Sequence, residues 1–170
     1  MSVADAIERR LEVRSYTDEP IAPDTKRAVL DAARLAPSGK NTQHWRFVVL
    51  DELADLERLG ELSTTGAWIT DAAFAVVVLT DPEYTYHRLD AGRAITHMQL
   101  AAWERELGSC IYTGYDEEGM RSFLGAPDRY AVTAVVGFGH PDEPLEGRKR
   151  RRPLDEVAFE GRFGEPFDVD

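Results

Sequence analysis

Apolar residues recur along the chain either at helical spacing or in short continuous runs. The helical spacing predicts helices at 23–36, 53–59 and 90–107, because the apolar positions in each stretch return to one face every three or four residues. Gly60 and Gly108 are expected to end the second and third helices, since glycine readily adopts the left-handed conformation found at helix C-termini. The stretch at 90–107 is the longest of the three and predicts a central helix.

Two shorter helices are predicted from their capping residues. Ser2 and Asp5 have the spacing of a capping box, so a helix is expected to run through Ala6 and Ile7. Asp116 is expected to cap a further helix that ends at 125–127. The first of these helices would place two arginines at its C-terminal end.

Four apolar runs predict strands at 45–50, 74–79, 109–112 and 132–138. The run at 74–79 is apolar throughout, which is typical of a strand in a sheet that is covered on both faces. Helices and strands are mixed along the chain, and its 170 residues suit one domain. We therefore expect a single domain at 1–170.

The acidic composition limits the classes of partner. The chain has 31 Asp and Glu against 20 Lys and Arg, a net charge of −11, which disfavours nucleic acid and anionic membrane surfaces as partners. Cys110 is the only cysteine, so an intrachain disulfide and a multi-cysteine metal site are excluded. The N-terminal residues lack the apolar run of a secretory signal and no stretch is long enough to span a bilayer, so a cytoplasmic protein is expected.

Two groups of cations stand out against this acidic background. Residues 148–152 are five consecutive Arg and Lys, which favours a phosphate partner, although a solvated loop paired with acidic neighbours is the alternative. Arg10 and Arg14 follow the first helix and could bind an oxyanion, or could simply interact with the helix dipole. The polar loop at 36–45 could bind a polar ring or be an ordinary connection between a helix and a strand.

Several kinds of chemistry have no support in the sequence. The glycine motifs that cradle dinucleotides or nucleoside triphosphates are absent, and so is the serine setting of the common hydrolases. Cys110 lies in a predicted strand and is interpreted as a small buried apolar residue. His87, His97 and His140 lack metal-ligand spacing, so no metal site is expected.

Taken together, these segments make the chain resemble the nitroreductase family of flavoproteins. The matching segments are 10–16 (RLEVRSY), 19–21 (EPI), 32–38 (AARLAPS) with Asn41 and Gln43, 45–47 (WRF), 108–110 (GSC), 113–115 (TGY), 124–127 (LGAP), 137–141 (GFGHP), and Lys149 with 151–154 (RRPL). The most specific of them lie between residues 33 and 47. The match spans nearly the whole chain.

The resemblance implies an α+β fold, a three-layer sandwich whose mixed, mostly antiparallel sheet carries helices on both faces. It also implies an intertwined homodimer with FMN at each edge of the interface. The tail at 155–170 would pack on the partner subunit. That tail carries three phenylalanines among acidic residues and is too short to bury them by itself.

The resemblance also assigns the flavin-binding residues. They are Arg10, Leu11, Glu12, Arg14, Pro37, Ser38, Asn41, Gln43, Ile111, Tyr112, Thr113, Gly114, Lys149 and Arg151. The cations among them would face the phosphate, the ribityl chain and the pyrimidine edge, the loop at 37–43 would come from the other subunit, and the backbone at 111–114 would lie near flavin N5. His44 and Tyr112 are expected to contact the substrate.

The function implied is an FMN-dependent NAD(P)H oxidoreductase that reduces nitroarenes or quinones in a ping-pong cycle. Because flavin N5 carries the chemistry, no catalytic side chain is expected. The alternatives are reductive dehalogenation on the same fold, a flavin-storage protein, or a dimeric interaction module. Three departures from the family pattern bear on this function: Glu12 replaces a serine, His44 replaces a proline, and the link at 80–90 is short.

Overall fold

A computed structural model describes residues 2–167 of the chain. It has five α-helices: α1 (Val3–Arg9), α2 (Pro23–Arg34), α3 (Leu53–Leu62), α4 (His87–Trp103) and α5 (Glu117–Leu124). Four strands are present: β1 (Arg46–Leu50), β2 (Phe74–Thr80), β3 (Gly108–Tyr112) and β4 (Ala131–Gly139). Short 3-10 helices occur at Gly39–Asn41, Ala67–Asp71 and Leu154–Glu156.

The local sequence signals explain most helix boundaries. Ser2 and Asp5 form the predicted capping box of α1. Pro23 opens α2, where its missing N–H costs nothing. Gly125 follows α5 with a φ of 60° and so provides the predicted left-handed C-terminus. Asp116 is at the N-cap of α5, but its side chain makes no capping hydrogen bond.

Two predicted helix ends are wrong. Helix α3 continues through Gly60 to Leu62, whose buried side chain keeps the last turn on the core. Glycine is used at position 60 for close approach, since a Cβ there would lie 2.9 Å from the Thr70 methyl group. Helix α4 ends at Trp103, and Glu106, with a φ of 61°, takes the left-handed role that we expected of Gly108.

The four strands form one sheet in the order β1-β2-β4-β3, and all their pairings are antiparallel. Among the described residues, parallel pairing occurs as a bridge between Glu12 and Ser109, which places the segment after α1 along the outer edge of β3. The mostly antiparallel sheet that we predicted is confirmed, and within residues 2–167 its parallel pairing is limited to this isolated bridge. The outer edge of β1 pairs with no strand of the described chain.

Helices cover both faces of the sheet and give the predicted three-layer sandwich. On one face, α2 and α4 pack on alternate residues of β2 and β4, including the stacked rings of Phe74 and Phe138 at 4.8 Å. On the other face, α3 and α5 pack on the intervening residues. All seven residues of β2 are buried, as expected for a central strand that is apolar throughout.

The C-terminal segment folds back on itself. The rings of Phe159 and Phe163 lie 4.6 Å apart, and the N–H of Phe167 donates to the Ala158 carbonyl. Phe163 is nevertheless 93% exposed, because this short turn cannot cover it. Packing of the tail on a partner subunit therefore stays a prediction, and residues 168–170 of that tail lie outside the described residues.

Candidate functional site

The basic residues from the two ends of the chain meet at the C-terminal end of α1. Lys149 donates a hydrogen bond from Nζ to the Ile7 carbonyl, one of the carbonyls that a helix end leaves without an internal partner. Burial and the nearby charges of Arg10 and Arg151 lower the pKa of Lys149. Three predicted phosphate contacts are therefore close enough to repel one another, and an anion between them would relieve that repulsion.

Glu12 is paired with one of these cations. Its Oε1 atom lies 2.7 Å from Nη1 of Arg10, and its carboxylate is 36% exposed. This pairing removes the main objection to a carboxylate beside a phosphate, because the ion pair presents a smaller net charge. Glu12 can therefore occupy the family's serine position without excluding an anionic ligand.

Two buried polar atoms beside Glu12 lack a hydrogen-bond partner in the described chain. One is Oγ of Ser109, and the other is Nη1 of Arg10, whose charge is nevertheless balanced by the ion pair with Glu12. Buried donors are rarely left unpaired, since the loss of hydration is not offset. The Ser109 hydroxyl therefore fits a site that is completed by a ligand.

A cavity of about 620 Å³ opens next to this cluster. The end of α1, the end of α4 and the segment before the basic run line it, with Glu8, Arg9, Leu11, Trp103, Leu145, Gly147, Arg148 and Lys149. Leu11 and Lys149 are predicted flavin contacts, whereas Trp103 was not foreseen. Arg14 and Arg151 are exposed. Burial raises the pKa of Cys110, and the charge of Arg14 partly opposes that rise, so Arg14 lies near the same edge of β3.

The end of β3 offers backbone groups, rather than side chains, to a ligand. Ile111 is half-buried and Thr113 is exposed, while the Gly114 carbonyl accepts a hydrogen bond of 2.8 Å from the Thr64 N–H. The Tyr112 ring is buried edge-on against Trp68. The expectation that the Tyr112 side chain faces a substrate is therefore corrected, because its ring belongs to the apolar core.

The polar loop before β1 has an unusual backbone. Lys40, Asn41 and Gln43 have φ values of 50°, 56° and 47°. Such values are uncommon outside glycine, and they persist only when the surroundings hold the backbone in place. The N–H of Gln43 donates to Oγ of Ser38 at 3.0 Å. The loop therefore has an ordered shape, with the predicted contacts Pro37, Asn41 and Gln43 exposed.

His44 was expected to contact the substrate, but its side chain does not lie at an open surface. Its side chain is 2% exposed, and Nε2 lies 3.2 Å from Oδ2 of Asp90. The ring also stacks on Tyr84, with ring centroids 5.2 Å apart. We correct the expected position because these partners hold the imidazole inside the protein. Sequence reasoning placed Asp90 only in the predicted central helix and gave it no function.

The two groups of candidate residues lie at opposite corners of the sheet. The loop precedes β1 at one edge, and the basic cluster flanks β3 at the other. Three strand spacings separate these edges by about 14 Å. Measured along β4, the position level with the loop and the position level with the basic cluster are about six residues apart, or roughly 20 Å. A single chain does not bring them together.

Burial makes the fold sensitive to alkaline pH. Burial raises the pKa of Cys110 to about 11, with a further contribution from Glu12, and raises that of Tyr115 to about 12. Burial also raises the pKa values of Tyr16 and Tyr112. The folded chain keeps protons that the unfolded chain loses above the ordinary cysteine pKa of 9.0. Stability is therefore lost as pH rises.

We expect the free energy of unfolding, measured by urea titration, to fall between pH 9 and pH 11. The lowered pKa of Lys149 acts in the opposite direction, but it is one group against four. The variant Cys110→Ala should lose the part of the slope that begins near pH 9. An identical slope in that variant would contradict the assignment to Cys110.

Metal and membrane features are absent from the described chain. Within residues 2–167, His, Cys, Asp and Glu side chains do not gather in groups of three that could hold a metal ion. Over the same residues, no helix combines the length and the apolar composition needed to cross a membrane.

The sequence model of the Nitroreductase family matches residues 7–81 and 64–140. A protein of Archaeoglobus fulgidus, named as an NADH dehydrogenase/NAD(P)H nitroreductase, is 33% identical over 143 residues, which cover 79% of this chain and 82% of the relative. The chain belongs to the nitroreductase family. Membership of this family places the chain among the oxidoreductases.

Solved structures and a more distant relative agree with this assignment. An FMN-dependent nitroreductase of Clostridium difficile superposes with a TM-score of 0.87 at 25% identity, covering 95% of this chain and all of the other. An NADH dehydrogenase/NAD(P)H nitroreductase of Bacteroides thetaiotaomicron gives 0.85 at 27% identity, with 92% and 95% covered. An iodotyrosine deiodinase of Thermotoga neapolitana is 24% identical over 178 residues, covering 90% and 94%.

Proposed function

We propose that this nitroreductase-family protein is an FMN-dependent oxidoreductase that takes a hydride from NADH or NADPH and reduces electron-poor aromatics such as nitroarenes or quinones. The observation that carries the proposal is the convergence of Arg10, Lys149 and Arg151 at the end of α1, where Lys149 donates to the Ile7 carbonyl. Burial, together with the charges of Arg10 and Arg151, lowers the pKa of Lys149 there. Crowded cations in a protein of charge −11 favour a bound dianion such as the FMN phosphate. The name of the Clostridium difficile neighbour supports the same cofactor.

Each group of residues has its own part in holding FMN. Arg10, Lys149 and Arg151 would bind the phosphate, and Leu11 and the backbone at 111–114 would line the ring. When bound, FMN would supply the hydride-accepting N5 atom and the two-electron chemistry of the reaction. Arg14 would stabilise negative charge at the pyrimidine edge of the reduced ring. Donor and acceptor would occupy the same place in turn.

The second half of the site would come from a second copy of the chain. Pro37, Ser38, Asn41 and Gln43 lie at the sheet corner opposite the basic cluster, so a two-fold dimer would bring the loop of one chain to the cations of the other. We therefore propose a homodimer with two equivalent FMN sites, each incomplete in one chain.

The unpaired edge of β1 supports this dimer. A groove of about 790 Å³ runs between α2 and β1. Its lining includes the Trp45 and Phe47 rings and has more cations than carboxylates: Lys26, Arg27, Arg34 and Arg46 against Asp24 and Asp31. The tail at 155–170 has the complementary composition, with three phenylalanines and six Asp or Glu. We propose that the tail of one subunit covers this groove on the other.

Visible spectroscopy tests the cofactor and the donor together. The purified protein is incubated with FMN, desalted, and then mixed anaerobically with NADH or NADPH. Retained flavin bands that bleach with either donor support the oxidoreductase. Retained bands that stay oxidised favour flavin storage, and a colourless protein overturns the proposal.

Reductive dehalogenation is the second candidate activity, because a relative over 90% of the chain is named an iodotyrosine deiodinase. In that reaction two electrons and a proton replace the carbon–halogen bond with a carbon–hydrogen bond, and halide leaves. The reduced protein is therefore offered a nitroarene, a quinone and an iodophenol in parallel. Reoxidation of the flavin with release of iodide from the iodophenol alone would favour dehalogenation.

Removing the tail should separate the subunits. A variant that ends at residue 154 leaves the α2 and β1 groove uncovered, so we expect a monomer by sedimentation analysis and loss of retained FMN. The variant Arg162→Ala changes the tail without removing an aromatic ring, and it should remain dimeric. A truncated protein that is still a dimer would contradict the proposed role of the tail.

A further inference from the structure

Asp90 is a fully buried carboxyl in the first turn of α4, with 0% of its surface exposed. Its Oδ2 accepts a hydrogen bond of 2.9 Å from the Gly39 N–H and lies 3.2 Å from Nε2 of His44. Its Oδ1 accepts a hydrogen bond of 3.2 Å from Arg93. A buried carboxyl is costly unless it is paired in this way. Two of its three partners belong to the polar loop before β1.

The hydrogen bonds within that loop do not attach it to the body of the protein. The N–H of Asn41 donates to the Ser38 carbonyl, the N–H of Thr42 to the Gly39 carbonyl, and the N–H of Gln43 to Oγ of Ser38. These bonds close the loop on itself. The two bonds to Asp90 instead join both ends of the loop to α4.

Aromatic side chains of the short link between β2 and α4 contact Gly39 and His44. The Tyr86 ring occupies the space beside Gly39, where a Cβ would come within 2.6 Å of the ring. The Tyr84 ring stacks on His44. Gly39 and His44 are thus held between aromatic rings and the Asp90 carboxyl. This arrangement explains how three neighbouring non-glycine residues keep positive φ angles.

We propose that Asp90 is the positioning residue of the FMN site. By holding Gly39 and His44, it fixes the loop in the one shape that presents Ser38, Asn41 and Gln43 to the flavin of the partner subunit. The inference rests on the proposed function, because it assigns those residues to FMN. The Asp90 carboxylate also accepts the Nε2–H of His44, which fixes the tautomer of the imidazole. Nδ1 of His44, a buried atom without a partner in the described chain, is then an acceptor.

The test compares three variants of the dimer. In Asp90→Ala, we expect the Gly39 amide to exchange its hydrogen about 10- to 100-fold faster without flavin, and the dissociation constant of FMN to rise by a similar factor. Asp90→Asn should recover most of both values, because its amide oxygen still accepts the Gly39 N–H. Met98→Ala serves as the control, since Met98 is also fully buried in α4 but lies away from the loop.

A structural role and a positioning role give different results. Met98→Ala should lower Tm while leaving Gly39 exchange and FMN affinity unchanged. If Asp90→Ala lowers Tm but leaves FMN affinity at the wild-type value, Asp90 is only structural and the inference is overturned. If Asp90→Ala does not fold, His44→Ala is used, because it removes one of the two contacts between Asp90 and the loop. Unchanged FMN affinity in His44→Ala would also overturn the inference.

Failure of the proposed function would be recognised separately. A wild-type protein that retains no FMN overturns the cofactor assignment. The Gly39 exchange rate, measured in flavin-free protein, then decides whether Asp90 holds the loop: faster exchange in Asp90→Ala supports the anchoring, and unchanged exchange overturns it.

Discussion

Replacing both Arg10 and Lys149 with alanine should abolish the retention of FMN. Each residue would give the phosphate a hydrogen bond between charged groups, worth about 1.5–3 kcal/mol. Loss of both corresponds to an increase of about 10² to 10⁴ in the dissociation constant. Removal of Arg10 also leaves Glu12 as an unpaired carboxylate beside the phosphate, which adds repulsion. Fluorescence titration with FMN measures the change.

Arg150→Ala is the matched control for this experiment. It removes one positive charge from the same basic run, but Arg150 is exposed and is not assigned to the site. We expect its FMN affinity to stay within about threefold of the wild type, since an exposed charge acts only through screened, long-range attraction. A double variant of Arg10 and Lys149 that is fully loaded with FMN would refute the site.

Phe138→Ala should cause the largest loss of stability among single core substitutions. Phe138 is fully buried in β4, and its ring stacks on Phe74 at the centre of one core. Truncating such a ring costs about 3–5 kcal/mol, because apolar contacts are lost and a cavity remains. For a domain of this size, we expect Tm to fall by about 6–20 °C. Urea unfolding of the flavin-free protein gives the free energy directly.

Two comparisons make this stability prediction specific. Leu53→Ala removes an apolar side chain that is 63% exposed, and it should change the free energy of unfolding by less than about 0.5 kcal/mol. The double variant of Phe74 and Phe138 should show a coupling energy of about 0.5–1.5 kcal/mol between the stacked rings. A loss below about 1.5 kcal/mol in Phe138→Ala would contradict the core packing described here.

The sequence could predict the elements because their signals are local. The capping box of α1, the proline that opens α2 and the continuous apolar run of β2 each depend on residues that are neighbours in the chain. The helix ends predicted at Gly60 and Gly108 are wrong, because a glycine can either provide a left-handed turn or allow a neighbouring segment to approach closely. A Cβ on Gly108 would come within 2.7 Å of the Val13 side chain, and only the packed structure shows that contact.

The candidate site was also predicted only in part from the sequence. The charge pattern and the family motifs indicated the basic cluster and the polar loop, since those residues lie in short runs. The sequence did not predict that the Tyr112 ring lies in the core or that His44 is buried against Asp90. Each of these contacts depends on which face of a strand or helix meets another element.

The sequence alone therefore determined the family, the order of helices and strands, and the residue types available to an anion. Only the tertiary structure placed the loop and the cations at opposite corners of the sheet, and only it joined Asp90 to a loop about 50 residues earlier in the chain. The reason is physical: element formation depends on local spacing, whereas the position of a buried polar side chain depends on distant partners that must satisfy it.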